Sequence, residues 1–237
     1  MIATIVSFAL APMLAMAGGG LFGAFKPPTP RLGSAMQHFA AGVVFSALAV
    51  EILPDIMHRQ APLAALGGFT AGVTLMLALR SAGCRLEKSS GSPLGMTLVV
   101  GTDVLIDGLL IGVAFTAGTR EGVLVTIALA VEMLSLGLAT AASLARAGAS
   151  RIRTVVSVSV LALLPMLGAV AGSLALGGLS GGWMEAVLAF AAAAFLYLVT
   201  EELLVEAHEV PEAPWMTALF FAGFVGLMML DMLAPAG

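Results

Sequence analysis

Eight long apolar runs take up almost all of this 237-residue chain. A helix that crosses the hydrocarbon core of a bilayer needs about 20 mostly apolar residues, and every run is near or above that length. The runs cover residues 2–25, 33–57, 63–83, 94–118, 122–147, 154–179, 182–207 and 215–233. We therefore predict an all-α integral membrane protein with eight transmembrane helices, forming one domain over residues 1–237.

The composition excludes a soluble fold. Hydrophobic residues make up 60% of the chain and charged residues only 10%, against roughly 25% charged residues in soluble domains. Cys84 is the only cysteine, so neither an internal disulfide nor a thiolate metal cluster is expected. The lipid bilayer is the expected environment, and no nucleic-acid partner is predicted.

The basic residues indicate an orientation. With eight spans, one side of the membrane receives Lys26, Arg31, Arg80, Arg85, Lys88, Arg146, Arg151 and Arg153, and the other receives Arg59 and Arg120. Cytoplasmic connectors carry an excess of Lys and Arg. The sequence therefore predicts a multi-pass plasma-membrane protein, at the inner membrane if the source is bacterial, with both termini outside.

Six of the carboxylates inside the apolar runs are interpreted as intramembrane acids, at depths where ionised groups are costly. They are Glu51, Asp103, Asp107, Glu132, Glu201 and Glu202. A charged residue at the bilayer centre costs roughly 2.5 to 3.5 kcal/mol on insertion scales, so it needs a compensating partner. No Lys or Arg is expected to be buried with them. The sequence therefore predicts that the positive partner is a cation from outside the chain.

The fourth and fifth runs carry the densest polar chemistry. Asp103 and Asp107 are four residues apart and share one helix face near mid-bilayer. Glu132 lies at similar depth in the fifth run, and Ser135 follows one turn later. The glycines nearby are expected to permit close helix approach; they are Gly101, Gly108, Gly112 and Gly137.

A short acidic pattern is repeated in the second and seventh runs. Residues 51–55 read EILPD and residues 202–206 read ELLVE, so each places two acids four residues apart on one helix face. The two helices run in opposite directions, as in the inverted repeats of secondary transporters. We expect Glu51, Asp55 and His58 at an outer mouth, and Glu202, Glu206 and His208 at an inner exit. His38 is interpreted as an interfacial residue rather than a ligand.

Three segments resemble the ZIP (Zrt/Irt-like) metal transporters. They are FAAGVVFSALAVEILPD from residue 39, DVLIDG from residue 103 and FLYLVTEELLVEAHE from residue 195. The resemblance implies a 3+2+3 arrangement of eight helices with inverted outer triplets and a metal site between the fourth and fifth helices. It further implies alternating access, with helices 1, 4, 5 and 6 moving against the others.

The resemblance also assigns site residues. Asp107, Glu132 and Glu202 match metal-binding carboxylates of the family, whereas Asp103 and Ser135 occupy altered ligand positions. Val104 and Val131 stand where the family has ligands, and Glu201 is included as an adjacent acid. The predicted substrate is a divalent cation of the zinc, iron or manganese class, and no prosthetic group is expected.

The donor atoms bear on the choice of ion. Oxygen ligands suit harder ions such as manganese, magnesium and calcium, although such sites still bind zinc and ferrous iron. Several carboxylates around one divalent ion exceed its charge, so proton exchange is expected to accompany binding and transport is expected to depend on pH.

Two other classes of function stay open from the residues. The first is a divergent protein of the same fold that moves another cation or solute, or that acts as a sensor or scaffold without transport. An intramembrane hydrolase would use Asp103 or Asp107 with Glu132 as an acid pair, but neither a G-x-G-D-type motif nor an H-E-x-x-H motif is present. Homodimer formation is also left open.

Overall fold

Eight membrane-length helices make up the fold. The computed structural model describes residues 2–90, 93–211 and 213–233. The helices are α1 (Ile2–Phe25), α2 (Pro30–Arg59), α3 (Pro62–Ser90), α4 (Pro93–Ala117), α5 (Thr119–Arg146), α6 (Arg151–Leu176), α7 (Gly182–Ala207) and α8 (Pro214–Leu233). Within these described ranges no residue lies in a β-strand. The predicted all-α fold with eight transmembrane helices is confirmed.

Local capping explains why two helices begin earlier than hydropathy predicts. The Thr29 side chain accepts a hydrogen bond from the Leu32 amide at 3.3 Å, and Pro30 occupies the first turn, so α2 begins at Pro30 instead of residue 33. Ser150 accepts from the Arg153 amide at 3.4 Å, so α6 begins at Arg151 instead of residue 154. Helix α3 also continues past the predicted end at residue 83 to Ser90.

Three of the helices are irregular. Leu48–Ile52 within α2 and Leu198–Leu203 within α7 are π-helical, a wider turn that often occurs at functional sites. Helix α6 is interrupted between Leu161 and Leu164, next to Pro165, which has no amide hydrogen to donate. Each π-helical turn contains the first acid of the repeated pattern, Glu51 or Glu202, and the second acid follows it in the next α-helical turn, so the repeat has a structural counterpart.

The helices pack as two four-helix bundles. In the first bundle α1 packs along α5 and α4 along α6; in the second, α2 packs along α8 and α3 along α7. An inverted repeat relates α1, α2 and α3 to α6, α7 and α8, and it relates α4 to α5. Under this relation the α1–α5 pair corresponds to the α4–α6 pair, and the α2–α8 pair corresponds to the α3–α7 pair. This pattern is the predicted 3+2+3 arrangement with inverted outer triplets.

Glycines allow the closest approaches within each bundle. A Cβ at Gly137 of α5 would overlap the Met16 carbonyl oxygen of α1, and a Cβ at Gly42 of α2 would overlap the Phe220 carbonyl oxygen of α8. Backbones in such contact leave no room for a side chain, and cores lose stability when extra atoms are forced in. The predicted packing role of Gly137 is confirmed.

The two ends of the molecule differ in charge. We call the end with connectors 26–29, 147–150 and 208–213 the basic end, because Lys26, Arg146 and Arg151 lie there. The end with the α2–α3 and α4–α5 connections is called the opposite end. It carries Glu121, Arg120 and Asp231.

Candidate metal site

Three carboxylates from α4 and α5 meet inside the first bundle. Each of Asp103, Asp107 and Glu132 offers an oxygen that lies within 4.8 Å of the other two. Asp107 and Glu132 are only 2% and 1% exposed. The spacing of the two aspartates, one helical turn apart, places both of them opposite Glu132. Such a group of oxygens has the chemistry of a divalent cation site.

The buried oxygens of this group are not satisfied by the protein. Among the described residues, neither Asp107 Oδ2 nor Glu132 Oε2 has a hydrogen-bond partner. Glu185, an equally buried acid of α7, behaves differently, because its two oxygens accept hydrogen bonds from the Ala61 amide at 3.0 and 2.8 Å. A buried polar atom without a partner costs free energy. A bound cation would remove that cost at Asp107 and Glu132.

Glu202 joins the group from the second bundle. Its carboxyl group lies beside that of Asp103, and both line the same cavity. Glu202 lies in the π-helical turn of α7. The candidate site therefore consists of acids from α4, α5 and α7, and it crosses the boundary between the two bundles.

A cavity of about 420 Å³ connects this site with the surroundings. Its lining includes Asp103, Glu132, Glu202, Glu206 and Gln37. A second cavity of about 540 Å³ lies at the basic end, and Gln37 and Glu206 line both cavities. The candidate site thus borders one cavity, and a second cavity at the basic end shares Gln37 and Glu206 with it.

The neighbouring acid Glu201 faces a different partner. Its Oε2 accepts a hydrogen bond from Arg80 of α3 at 2.5 Å, and both side chains are about half exposed on the wall of the 420 Å³ cavity. The expectation that no internal basic group accompanies the six acids is wrong here. Glu201 is adjacent to Glu202 in sequence, but the structure does not bring it together with the other site acids.

Ser135 lies next to the site without joining the three carboxylates. It is buried, and its hydroxyl donates to Gln37 Oε1 at 3.0 Å. The Gln37 amide nitrogen in turn donates to the Glu206 carboxylate. Gln37 therefore links α2 with α5 and α7 between the two chambers. The ligand role of Ser135 stays a prediction.

The predicted outer mouth lies at the opposite end and is closed. Glu51 is buried, and its Oε1 lies 3.9 Å from Arg120 Nε. Arg120 also binds Asp231 at 2.5 Å. The expectation of an external cation as partner is therefore also wrong for Glu51, because an arginine of the chain approaches it. The pocket beside Glu51 and Asp55 holds only about 10 Å³.

The remaining predicted mouth residues lie at two opposite ends of the molecule. Asp55 forms an ion pair with Arg59 at 3.1 Å, and the exposed His58 Nδ1 donates to the Pro54 carbonyl oxygen at 2.7 Å. Glu206 and His208 lie at the basic end, where the His208 Nδ1 binds the Leu204 carbonyl oxygen. Their transport roles stay predictions.

Four residues around the site and the mouths were not predicted from the sequence to be site residues. They are Gln37, Arg80, Arg120 and Asp231. Asp231 lies inside the last apolar run, so the rule that selected the other intramembrane acids would have found it. The sequence indicates a site role for Gln37 less clearly than for Asp231, because Gln37 is a single amide side chain beside the FAAGV segment.

The geometry defines an eight-helix membrane protein with a buried carboxylate site between two bundles. The model of the family described as ZIP Zinc transporter matches residues 87–234, more than half of the chain. The chain belongs to the ZIP zinc transporter family, and it is a membrane protein of a metal transporter family. No curated protein matches the chain. The resembling segment at residues 39–55 lies outside the matched part.

Proposed function

We propose that residues 1–237 act as one secondary transporter of divalent metal cations, with Asp103, Asp107, Glu132 and Glu202 as the ion site. The observation that carries this proposal is the pair of fully buried, unpartnered oxygens on Asp107 and Glu132 beside an open cavity. Intramembrane acids of this kind mark ion pathways. The family supplies the general activity, metal transport.

The mechanism we propose is alternating access between the two bundles. The glycine contacts hold each bundle together internally, and the site acids come from both bundles. A relative movement of α1, α4, α5 and α6 would therefore carry Asp103, Asp107 and Glu132 past the fixed Glu202. Glu51 and Asp55 would attract cations at one mouth only after its opening separates them from Arg120 and Arg59. Glu206 and His208 would receive the cations at the other mouth.

The orientation we propose places the basic end in the cytoplasm of the plasma membrane. The positive charge of the connectors supports this orientation. The large chambers then face the cytoplasm, and the closed pocket at Glu51 faces outward. The described conformation corresponds to an inward-open state of the transport cycle.

The ligand atoms of the proposed site indicate which ions it would bind. Asp103, Asp107, Glu132 and Glu202 offer only oxygen, which suits manganese and ferrous iron and still binds zinc. The replacement of family ligand positions by Asp103 and Ser135 favours a second candidate, a protein that moves another cation or only senses one. Transport measurements separate these two functions.

The decisive test is uptake into proteoliposomes of Mn²⁺, Fe²⁺, Zn²⁺, Co²⁺ and Cd²⁺. We expect saturable uptake of at least one ion, and loss of that uptake in Asp107→Asn. Glu185→Gln is the matched control, because it neutralises an equally buried acid whose oxygens accept hydrogen bonds from the Ala61 amide. Saturable binding without uptake would favour the sensing function, and equal activity of both variants would contradict the proposed site.

A further inference from the structure

Gln37 of α2 is a buried amide that contacts both bundles. It is 4% exposed, and its two polar atoms have different partners. Oε1 accepts a hydrogen bond from the Ser135 hydroxyl of α5 at 3.0 Å, and Nε2 donates to the Glu206 carboxylate of α7. Because a carboxylate only accepts, Glu206 fixes the orientation of the amide and leaves Oε1 directed at Ser135. The Ser135 bond therefore crosses the boundary between the bundles, whereas the Glu206 bond lies within the second bundle.

The neighbouring buried polar residues of α2 have partners within the second bundle. Ser34 donates to the Ala207 carbonyl oxygen of α7 at 2.6 Å. The His38 ring faces His208, beyond the end of α7, with the ring centroids 5.3 Å apart. His38 is only 1% exposed, so the expectation that it is an interfacial residue is wrong. These contacts hold the start of α2 against α7, so Gln37 belongs to a fixed part of the second bundle.

The bond between Ser135 and Gln37 depends on the register of the two bundles. Helix α5 runs from the opposite end to the basic end, so a shift of the first bundle toward the opposite end would bring later turns of α5 level with Gln37. On the same face these turns carry Ala139 and Ala142, both of which line the basic-end cavity with Gln37. Alanine has no polar side-chain atom. A shift of one turn, about 5.4 Å, would therefore remove the bond.

The strength of this bond suits a transporter that must leave the conformation again. A neutral hydrogen bond that one conformation has and the other lacks changes their ratio by about 2- to 10-fold. A difference of this size favours one conformation without trapping the protein in it. At the opposite end the link across the boundary is the ion pair of Arg120 with Asp231. The closed end is thus joined by charge, and the open end by a neutral bond.

We propose that Gln37 is a positioning residue of the transport cycle, which stabilises the inward-open conformation through Ser135 and loses this partner when the first bundle moves. The inference rests on the alternating access proposed above. Glu206 keeps the amide oriented while Ser135 is away, because both Gln37 and Glu206 belong to the second bundle. Oε1 can then accept from Ser135 again when the first bundle returns.

Labelling of single engineered cysteines by a charged thiol reagent tests this proposal in metal-free detergent solution. Cys84→Ser first removes the only native thiol. Ala114→Cys reports on the opposite end, where Ala114 is 3% exposed and lines the closed pocket. Ser143→Cys reports on the partly exposed wall of the basic-end cavity. We expect Ser135→Ala to speed labelling at residue 114 and to slow it at residue 143, each by about 2- to 10-fold.

Opposite changes at the two reporters separate this role from a general loosening of the fold, which would speed labelling at both. Ser34→Ala is the matched control, because it removes a buried hydroxyl whose bond to α7 stays within the second bundle. It should not move the two rates in opposite directions. Gln37→Leu should act as Ser135→Ala does. The double variant should shift the rates no further than Gln37→Leu alone, because both substitutions remove the same bond.

Arg120→Gln separates failure of this proposal from failure of alternating access, because loss of the ion pair should expose residue 114 in a protein with two conformations. Labelling there in Arg120→Gln, but unchanged rates in Ser135→Ala and Gln37→Leu, would overturn the role of Gln37 alone. Absence of labelling at residue 114 in every variant would overturn it together with alternating access. Faster labelling at both reporters in Ser135→Ala would indicate a packing defect and would also overturn the proposal.

Discussion

Neutralising two adjacent acids of α7 separately should have very different effects on metal affinity. Glu202 lies beside Asp103 in the site, whereas Glu201 is paired with Arg80 at 2.5 Å. The negative charge of Glu201 is therefore already balanced, and Glu202 supplies charge that the ion can use. We expect Glu202→Gln to weaken binding strongly and Glu201→Gln to change it little.

The size of the effect follows from the charges of the site. Four carboxylates surround the proposed ion position, and Glu202→Gln leaves three of them. Three carboxylates should still bind a divalent ion, but less tightly. Loss of such a group costs about 10- to 100-fold in affinity, or roughly 1.4 to 2.7 kcal/mol. Glu201→Gln leaves the Arg80 charge unpaired, but solvent screens this half-exposed pair, so the change should stay within about threefold.

Isothermal titration of both variants with Mn²⁺ and Zn²⁺ measures the difference directly. A thermal unfolding assay gives a second measurement, because a ligand at 100 times its dissociation constant stabilises the folded state by about 2.7 kcal/mol. A 100-fold loss of affinity in Glu202→Gln would reduce that stabilisation to about 0.4 kcal/mol at the same ion concentration. Equal losses in the two variants, or a larger loss in Glu201→Gln, would refute the assignment of these acids.

Three other outcomes are expected. Arg120→Gln removes the α5–α8 ion pair at the opposite end, so amide hydrogen exchange at that end should become faster while exchange at the basic end stays unchanged. Gly137→Ala should destabilise the fold by about 1 to 3 kcal/mol, whereas Gly18→Ala, with no atom within 4 Å of the new Cβ, should not, as measured by thermal unfolding. Uptake should fall on acidification between about pH 8 and 5.5 because protons compete with the cation for the carboxylates, and a flat rate would contradict this.

Hydropathy predicted the helices well because the bilayer fixes their length. The first and seventh runs, 2–25 and 182–207, coincide with α1 and α7 at both ends. The differences at Pro30 and Arg151 come from capping side chains, which a sliding hydrophobic window does not detect. The family resemblance then supplied the arrangement of helices, which hydropathy alone does not contain.

The site was harder to predict in detail. Asp103, Asp107 and Glu132 could be grouped from helix periodicity, because each lies in a regular part of α4 or α5. Glu201 and Glu202 could not be separated, since the π-helical turn that decides their directions has no clear sequence pattern. Arg80 was counted among the connector charges although its side chain reaches back to Glu201.

The wide turn at Leu198–Leu203 also sets the direction of everything that follows it in α7. An α-helix advances by about 100° per residue, so removing one residue from this turn would rotate the last part of the helix by roughly that angle. Glu206 would then swing away from Gln37, and His208 away from His38. A single extra residue in one turn thus decides whether the last part of α7 faces α2 and the cavities that Gln37 and Glu206 line.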